Sequence, residues 1–261
     1  MIDDLRALSG PAAGGFTELL TSLGHTPAAP EGGIAGDVLA PEATTVLAIR
    51  HDHGVVMIGD RQATEGYSVA NRRMRKVFPA DEHAAVAISG TAGLAVDMVR
   101  LFQTELEHYE KLEGSRLSLE GKANYLSRMV RGALPMAMQG LVVVPLFAGF
   151  DLVDGTGRLF TFDVVGGRYE ETAFGATGSG SREAKSYLRA AYAPGLDATG
   201  TVDLGLQALV AAAEQDVATS GPDFERGIMP VVVMIDADGY RELDDEVVSE
   251  AARRARDEVV R

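Results

Sequence analysis

Two apolar runs, Thr45 to His51 and Gly54 to Gly59, are separated only by Asp52-His53. So short a polar link reads as the turn of a hairpin, which commits the first strand-like stretch of the chain to an antiparallel sheet. A second pair of runs, Lys76 to Pro79 and Ala84 to Ser89, turns around Asp81-Glu82 in the same way.

Two helices are expected next. Leu94, Met98, Leu101, Phe102, Leu106 and Tyr109 recur at spacings of three and four, and Gly114 closes that helix after Lys111. Ser118 is a natural N-cap for the second, which runs through Ala123, Leu126, Met129, Val130 and Ala133 towards Gly140, with Pro135 expected to kink it or end it early. Strands resume at Val142 to Leu152, Arg158 to Phe162 and Arg168 to Phe174. Helical stretches follow at Ser181 to Tyr192 and Val202 to Asp216. A last strand, Val231 to Ile235, turns at Asp236-Ala237-Asp238-Gly239 into Tyr240 to Leu243. This order predicts an α+β fold, a four-layer α/β/β/α sandwich of two stacked antiparallel sheets.

Residues 1–43 cluster Gly and Pro around one short amphipathic piece, Phe16 to Leu23. Such a segment cannot bury enough apolar surface to order itself, so it reads as a disordered tail or a removable propeptide. From Asp244 the charges alternate in sign along a helix with little apolar face, so residues 244–261 read as a solvated or partner-facing tail. Residues 44–243 are left as the folded domain.

The 261 residues carry 38 Asp and Glu against 24 Lys and Arg, a formal charge of −14. That balance argues against nucleic acid and anionic membrane as partners, since both are bound through cationic side chains. There is no cysteine, which removes thiolate zinc sites and a Cys nucleophile. Met1-Ile2-Asp3-Asp4 is acidic where a secretory signal is basic, and a cytoplasmic protein is expected.

The change from Gly/Pro-rich lead to β-rich texture falls at Thr44-Thr45. Cutting before Thr44 would join a hydroxyl nucleophile and an α-amine base in one residue. Asp60 ends the second strand between Gly59 and Arg61, where it reads either as a presented acid or as a turn residue. Lys76 follows the basic run Arg72-Arg73-Met74-Arg75 and opens a strand; it reads either as the solvated end of that loop or as a Lys aimed into a core, which needs a carboxylate, for which Asp60 is the nearest in sequence. Ser89-Gly90-Thr91-Ala92-Gly93 joins strand to helix with small residues that would let backbone N–H groups approach a ligand. Gly175 to Ser181 is Gly-rich but lacks the Gly-Lys-Ser/Thr of a phosphate-binding loop, leaving Ser179 as a spare hydroxyl. Asp216 to Pro222 offers a carboxylate and hydroxyls, or a plain helix end. His51-Asp52-His53 has no third ligand in view, and neither a metal nor a cofactor is expected.

These residues together carry a resemblance. Thr44-Thr45-Val46, Val56-Met57-Ile58-Gly59-Asp60-Arg61, Lys76-Val77-Phe78, Ile88-Ser89-Gly90-Thr91-Ala92-Gly93, Glu105 to Lys111, Gly178-Ser179-Gly180-Ser181, and Asp216 with Thr219 stand in the order and spacing of a known family. From Thr44 to about Gly239 the chain resembles the β-subunits of the proteasome core particle, most closely the actinobacterial type, a family of N-terminal nucleophile hydrolases. The resemblance implies that residues 1–43 are a propeptide removed by autolysis between Ala43 and Thr44, and that Thr44 is then the nucleophile of a threonine protease. It implies that Asp60 and Lys76 form a charged pair beside Thr44, that the N–H of Gly90 is the oxyanion donor, and that Ser179, Asp216 and Thr219 orient the amine and a water. Thr64 matches the position that holds substrate backbone. Ala63, Met74, Ile88, Ala92 and Val96 match the pocket lining, whose apolar Met74 and Ile88 imply cleavage after hydrophobic residues.

The implied assembly is a homoheptameric β-ring stacked with α-subunit rings and fed unfolded, tagged proteins by an ATP-dependent unfoldase. A simpler threonine protease of the HslV type and a non-catalytic ring subunit are the alternatives. One position departs from the family, which usually has Gly where this chain has Ala43. The added Cβ restricts the backbone at the cut and implies slower maturation.

Overall fold

A computed structural model describes residues 44–65 and 68–259 of the chain. The expected propeptide, Ala43 included, lies outside the described residues. The first sheet has the order β10-β1-β2-β11-β12, built from Thr45–His51 (β1), Gly54–Gly59 (β2), Phe174–Gly178 (β10), Val231–Asp236 (β11) and Gly239–Glu242 (β12). The second has the order β5-β6-β7-β8-β9, from Val77–Asp81 (β5), Ala84–Gly90 (β6), Val143–Asp151 (β7), Thr156–Phe162 (β8) and Arg168–Glu171 (β9). Every pairing in both sheets is antiparallel.

Successive side chains of a strand point to opposite faces, and here both faces are buried. Val46, Ala48, Val55 and Met57 of the first sheet meet Ala85, Ala87, Leu146 and Leu159 of the second, forming the layer between the sheets. The alternate residues Leu47, Ile49, Val56 and Ile58 face outward into a cluster with helices Ser181–Ala191 (α4), Ala198–Gln215 (α5) and Asp245–Val259 (α6). On the far side, Val86, Ile88, Phe147 and Phe160 pack under Ala92–Glu113 (α1) and Leu119–Gly132 (α2). The described residues therefore form the four-layer sandwich expected from the order of their elements.

The local signals act as expected at several ends. The Ser118 hydroxyl accepts from Gly121 N–H at 3.1 Å. Gly114 ends α1 with φ +64°, and a separate short helix, Leu134–Ala137 (α3), carries Pro135 in its first turn.

Three stretches differ from the sequence expectation. The run Arg168 to Phe174 is two strands rather than one: β9 pairs with β8, the chain crosses at Thr172-Ala173, and β10 pairs with β1. The Gly175 to Gly178 stretch is thereby ladder rather than loop. Ala63–Glu65 (β3) and Ser68–Asn71 (β4) form an additional two-stranded sheet in which β4 is wholly exposed. Finally, the terminal helix α6 has an apolar face: Val248, Ala251, Ala252 and Ala255 are buried in the core cluster with α5. No helix among the described residues is long and apolar enough to cross a membrane.

Candidate active site

Thr44 stands immediately before β1, and the ends of four elements converge on it. β2 runs antiparallel to β1, so its successor Asp60 returns beside Thr45: Asp60 N–H donates to Thr45 O at 3.0 Å, and Thr45 N–H donates to the Asp60 carboxylate at 2.9 Å. The same carboxylate oxygen, Oδ1, takes the Lys76 ammonium at 2.5 Å from the residue preceding β5. Both side chains are completely buried. Lys76 also donates to the Gln62 carbonyl, and Asp60 Oδ2 accepts from Gln62 N–H at 3.1 Å and from Ser220 N–H and Oγ at 3.2 and 3.3 Å. A buried ion pair persists only when charge and lone pairs are compensated in this way. The carboxylate expected as the partner of Lys76 is thus the one found.

On the other side of Thr44, β10 turns into α4. Ser179 N–H donates to Thr44 O at 2.8 Å. This approach requires Gly178, which has φ +100° and where a Cβ would stand 1.8 Å from Thr44 O. The Ser179 hydroxyl lies 2.5 Å from Asp216 Oδ2, which also accepts from Thr219 Oγ1 at 2.6 Å. Asp216 closes α5, and Ala218 N–H caps its other oxygen at 3.1 Å. Ser179, Asp216 and Thr219, drawn from two distant stretches, therefore form one cluster around the Thr44 carbonyl.

β6 brings Gly90 to the same end of the sandwich. Ser89 bridges the sheets, its hydroxyl 2.9 Å from Thr177 Oγ1 on β10. Gly90 has φ +102°, and a Cβ there would lie 2.0 Å from Val142 O, so the turn that presents its backbone excludes any side chain.

The residues expected to hold substrate fall into two groups. Ala63 and Thr64 are buried on β3, and half-buried Met74 donates its N–H to Arg61 O at 3.0 Å. Ile88 lies in the cluster beneath α1, against which Val96 packs, and half-buried Ala92 opens that helix. Ile88 N–H donates to Lys76 O at 3.0 Å, tying this second group to the charged pair.

Three residues of the site escaped the sequence reading: Thr45, whose hydroxyl lies 2.6 Å from Thr219 Oγ1 and accepts from Gly180 N–H at 2.9 Å; Gln62; and Ser220. The second threonine of Thr44-Thr45 was visible as a hydroxyl, and Ser220 lies among the hydroxyls of Asp216 to Pro222; no signal marked Gln62.

A sandwich of this topology, with a threonine at the mouth of its first strand beside a buried Asp–Lys pair, suits hydroxyl-nucleophile chemistry. Residues 41–228 match the family model described as Proteasome subunit, and the chain belongs to the proteasome subunit family. It is 56% identical to the proteasome subunit beta of Acidimicrobium ferrooxidans over 226 residues, 87% of this chain and 82% of that one. It is 54% identical to the proteasome subunit beta of Streptomyces griseus over 220 residues, 84% and 78% of the two chains. Against that of Jonesia denitrificans the identity is 52% over 213 residues, 82% and 70%.

Proposed function

We propose that this chain is a proteasome β-type peptidase in which Thr44, freed by cleavage of the Ala43–Thr44 bond, is the nucleophile of a threonine endopeptidase. Family membership and the beta-subunit relatives support the β-type peptidase and its place in a multi-subunit assembly. The observation that carries the finer reading is the shared atom: Asp60 Oδ1 takes both the Thr45 N–H and the Lys76 ammonium, fixing a cation to the residue next to Thr44.

The free amine of Thr44 takes the hydroxyl proton as the oxygen attacks a peptide carbonyl. Lys76 favours the developing alkoxide, and Asp60 holds that cation in place. The tetrahedral oxyanion is received by Gly90 N–H. The amine returns its proton to the leaving amine, and water, oriented with the amine by Ser179, Asp216 and Thr219, hydrolyses the ester.

Thr64 on β3 holds the substrate backbone in strand-addition fashion. Ala63, Met74, Ile88, Ala92 and Val96 line an apolar pocket that favours hydrophobic residues before the cut. The working particle is a cytoplasmic barrel of homoheptameric β-rings and α-subunit rings, supplied with unfolded, tagged proteins by an ATP-dependent unfoldase. No metal or cofactor enters the mechanism.

The test is Thr44→Ala, co-expressed with its α-subunit and assayed on a fluorogenic peptide with a hydrophobic residue before the scissile bond. Loss of at least ~10³-fold in turnover is expected for a removed nucleophile. Unchanged turnover would point instead to a scaffold subunit.

A further inference from the structure

We infer that the hydroxyl of Thr45 is a positioning residue for the reaction, acting through Thr219 on the Asp216–Ser179 pair. The inference rests on the reading of Thr44 as nucleophile but concerns a different side chain.

Thr45 is fully buried at the first position of β1. A residue there can use either an apolar side chain, as Val46 and Leu47 do next to it, or a hydroxyl whose hydrogen bonds are all met. Thr45 meets them with distant partners. Gly180 N–H donates to Thr45 Oγ1 at 2.9 Å, and Thr45 Oγ1 lies 2.6 Å from Thr219 Oγ1. Thr219 Oγ1 in turn lies 2.6 Å from Asp216 Oδ2.

Proton counting gives this chain one direction. A carboxylate accepts only, so the Thr219 proton goes to Asp216. Thr219 then accepts from Thr45, whose own oxygen is occupied by Gly180 N–H. The line is Gly180 N–H to Thr45 O–H to Thr219 O–H to Asp216, and hydrogen bonds aligned head to tail strengthen one another where water is excluded; Gly180, Thr45 and Thr219 are buried, Asp216 is half-buried and Ser179 is exposed.

The far end of that line is the oxygen that also takes the Ser179 hydroxyl at 2.5 Å. Ser179 has a single proton; with that proton on Asp216 at 2.5 Å, its 3.4 Å approach to the Thr44 carbonyl is a contact rather than a second donation, and its lone pairs stay open to a donor near Thr44. An acceptor in that place can hold the Thr44 amine. The line also fixes the turn from β10 to α4 at both Ser179 and Gly180, and Gly180 has no room to shift: a Cβ there would meet Thr45 Oγ1 at 2.6 Å and Thr219 Oγ1 at 2.7 Å. Thr45 thus reaches the reacting residue twice, through the chain as its neighbour and through space by three hydroxyls and a carboxylate.

The bonds of the line join Gly180, Thr45, Thr219, Asp216 and Ser179, none of them expected to hold substrate, so its loss should slow turnover without weakening substrate binding. The experiment compares the assembled wild type with Thr45→Val, Thr45→Ser and Thr219→Ala on a hydrophobic fluorogenic peptide, reading kcat and KM separately. Thr45→Val keeps the shape and removes the hydroxyl; kcat should fall about 10-fold or more, as expected for loss of one charge-linked hydrogen bond, with KM within about 2-fold. Thr45→Ser should recover most of the loss. Thr219→Ala should give a similar fall, and the double variant should be no worse than the more damaged single one, since both cut the same line.

Wild-type kcat in Thr45→Val, failure of serine to rescue, or additive losses would overturn the assignment. Should Thr45→Val not assemble, Thr45→Ala takes its place: a lowered kcat with unmoved KM supports the line, and an unmoved kcat overturns it. Thr44→Ala, run alongside, separates the two ideas. If it remains active the nucleophile reading fails, whereas if it is inactive and Thr45→Val is unimpaired, only the role of Thr45 fails.

Discussion

Replacing Lys76 by Met leaves a stem of similar length but removes the cation bonded to Asp60 at 2.5 Å. Both side chains have no solvent exposure, so Asp60 would keep a charge that water cannot reach. Breaking a buried pair by removing one partner costs about 3–5 kcal/mol. Asp60 retains four donors, Thr45 N–H, Gln62 N–H and the N–H and hydroxyl of Ser220, which places the expected loss near the lower bound, about 3 kcal/mol. Against a typical domain stability of about 5–15 kcal/mol the variant still folds.

Asp60→Asn in the Lys76→Met background removes the stranded charge but turns its NH2 towards a backbone N–H on one side, so only part of the loss should return while peptide hydrolysis stays absent. Urea unfolding of the unassembled subunit, followed by circular dichroism with an unchanged m-value, measures the first effect, and turnover of the assembled particle measures the second. Equal stability of the single and double variants would refute the claim that the pair is held by mutual compensation.

Gly178→Ala should abolish turnover and destabilise the subunit by more than the ~1 kcal/mol of a left-handed backbone alone, because the new Cβ would overlap Thr44 O at 1.8 Å; urea unfolding beside a peptidase assay checks both. His51 supplies a pH dependence. Burial is the main force on its imidazole and lowers its pKa, Asp236 opposes it in part, and its Nε2 has no partner. The ring therefore protonates more readily in the unfolded chain than in the folded protein. Stability should be full above about pH 6.5 and fall as the pH drops from there towards the folded-state value. Melting temperatures from pH 8 to 5 should show this decline, and His51→Gln should flatten it.

Strands buried on both faces were legible because each is a continuous apolar run, as in Val46 to Ile49 and Val231 to Ile235. The crossing at Thr172-Ala173 was not, since neither Gly nor Pro interrupts the run from Arg168 to Phe174 and only the identity of the partner strand distinguishes its halves. The strand Ser68–Asn71 has no buried face to leave a pattern. The seam of α6 hides for another reason: Ala251, Ala252 and Ala255 carry little apolar surface each and bury it by letting the helix come close.

Within the site, the Asp60–Lys76 pair could be read because a cation opening an apolar strand demands a carboxylate. Thr45 and Ser220 could not, since their partners Thr219 and Asp60 lie 174 and 160 residues away in the chain. Hydrogen bonds of that separation exist only once the β-sandwich has closed.

The proposed chemistry turns on Thr44 becoming the first residue of the working chain. The intact mass of the subunit after co-expression and assembly with its α-subunit tests that most directly. The predicted mass is that of residues 44–261, with the whole 1–43 segment removed. A full-length mass in particles that hydrolyse peptides would contradict it, because the amine that serves as base would still be bound in a peptide bond.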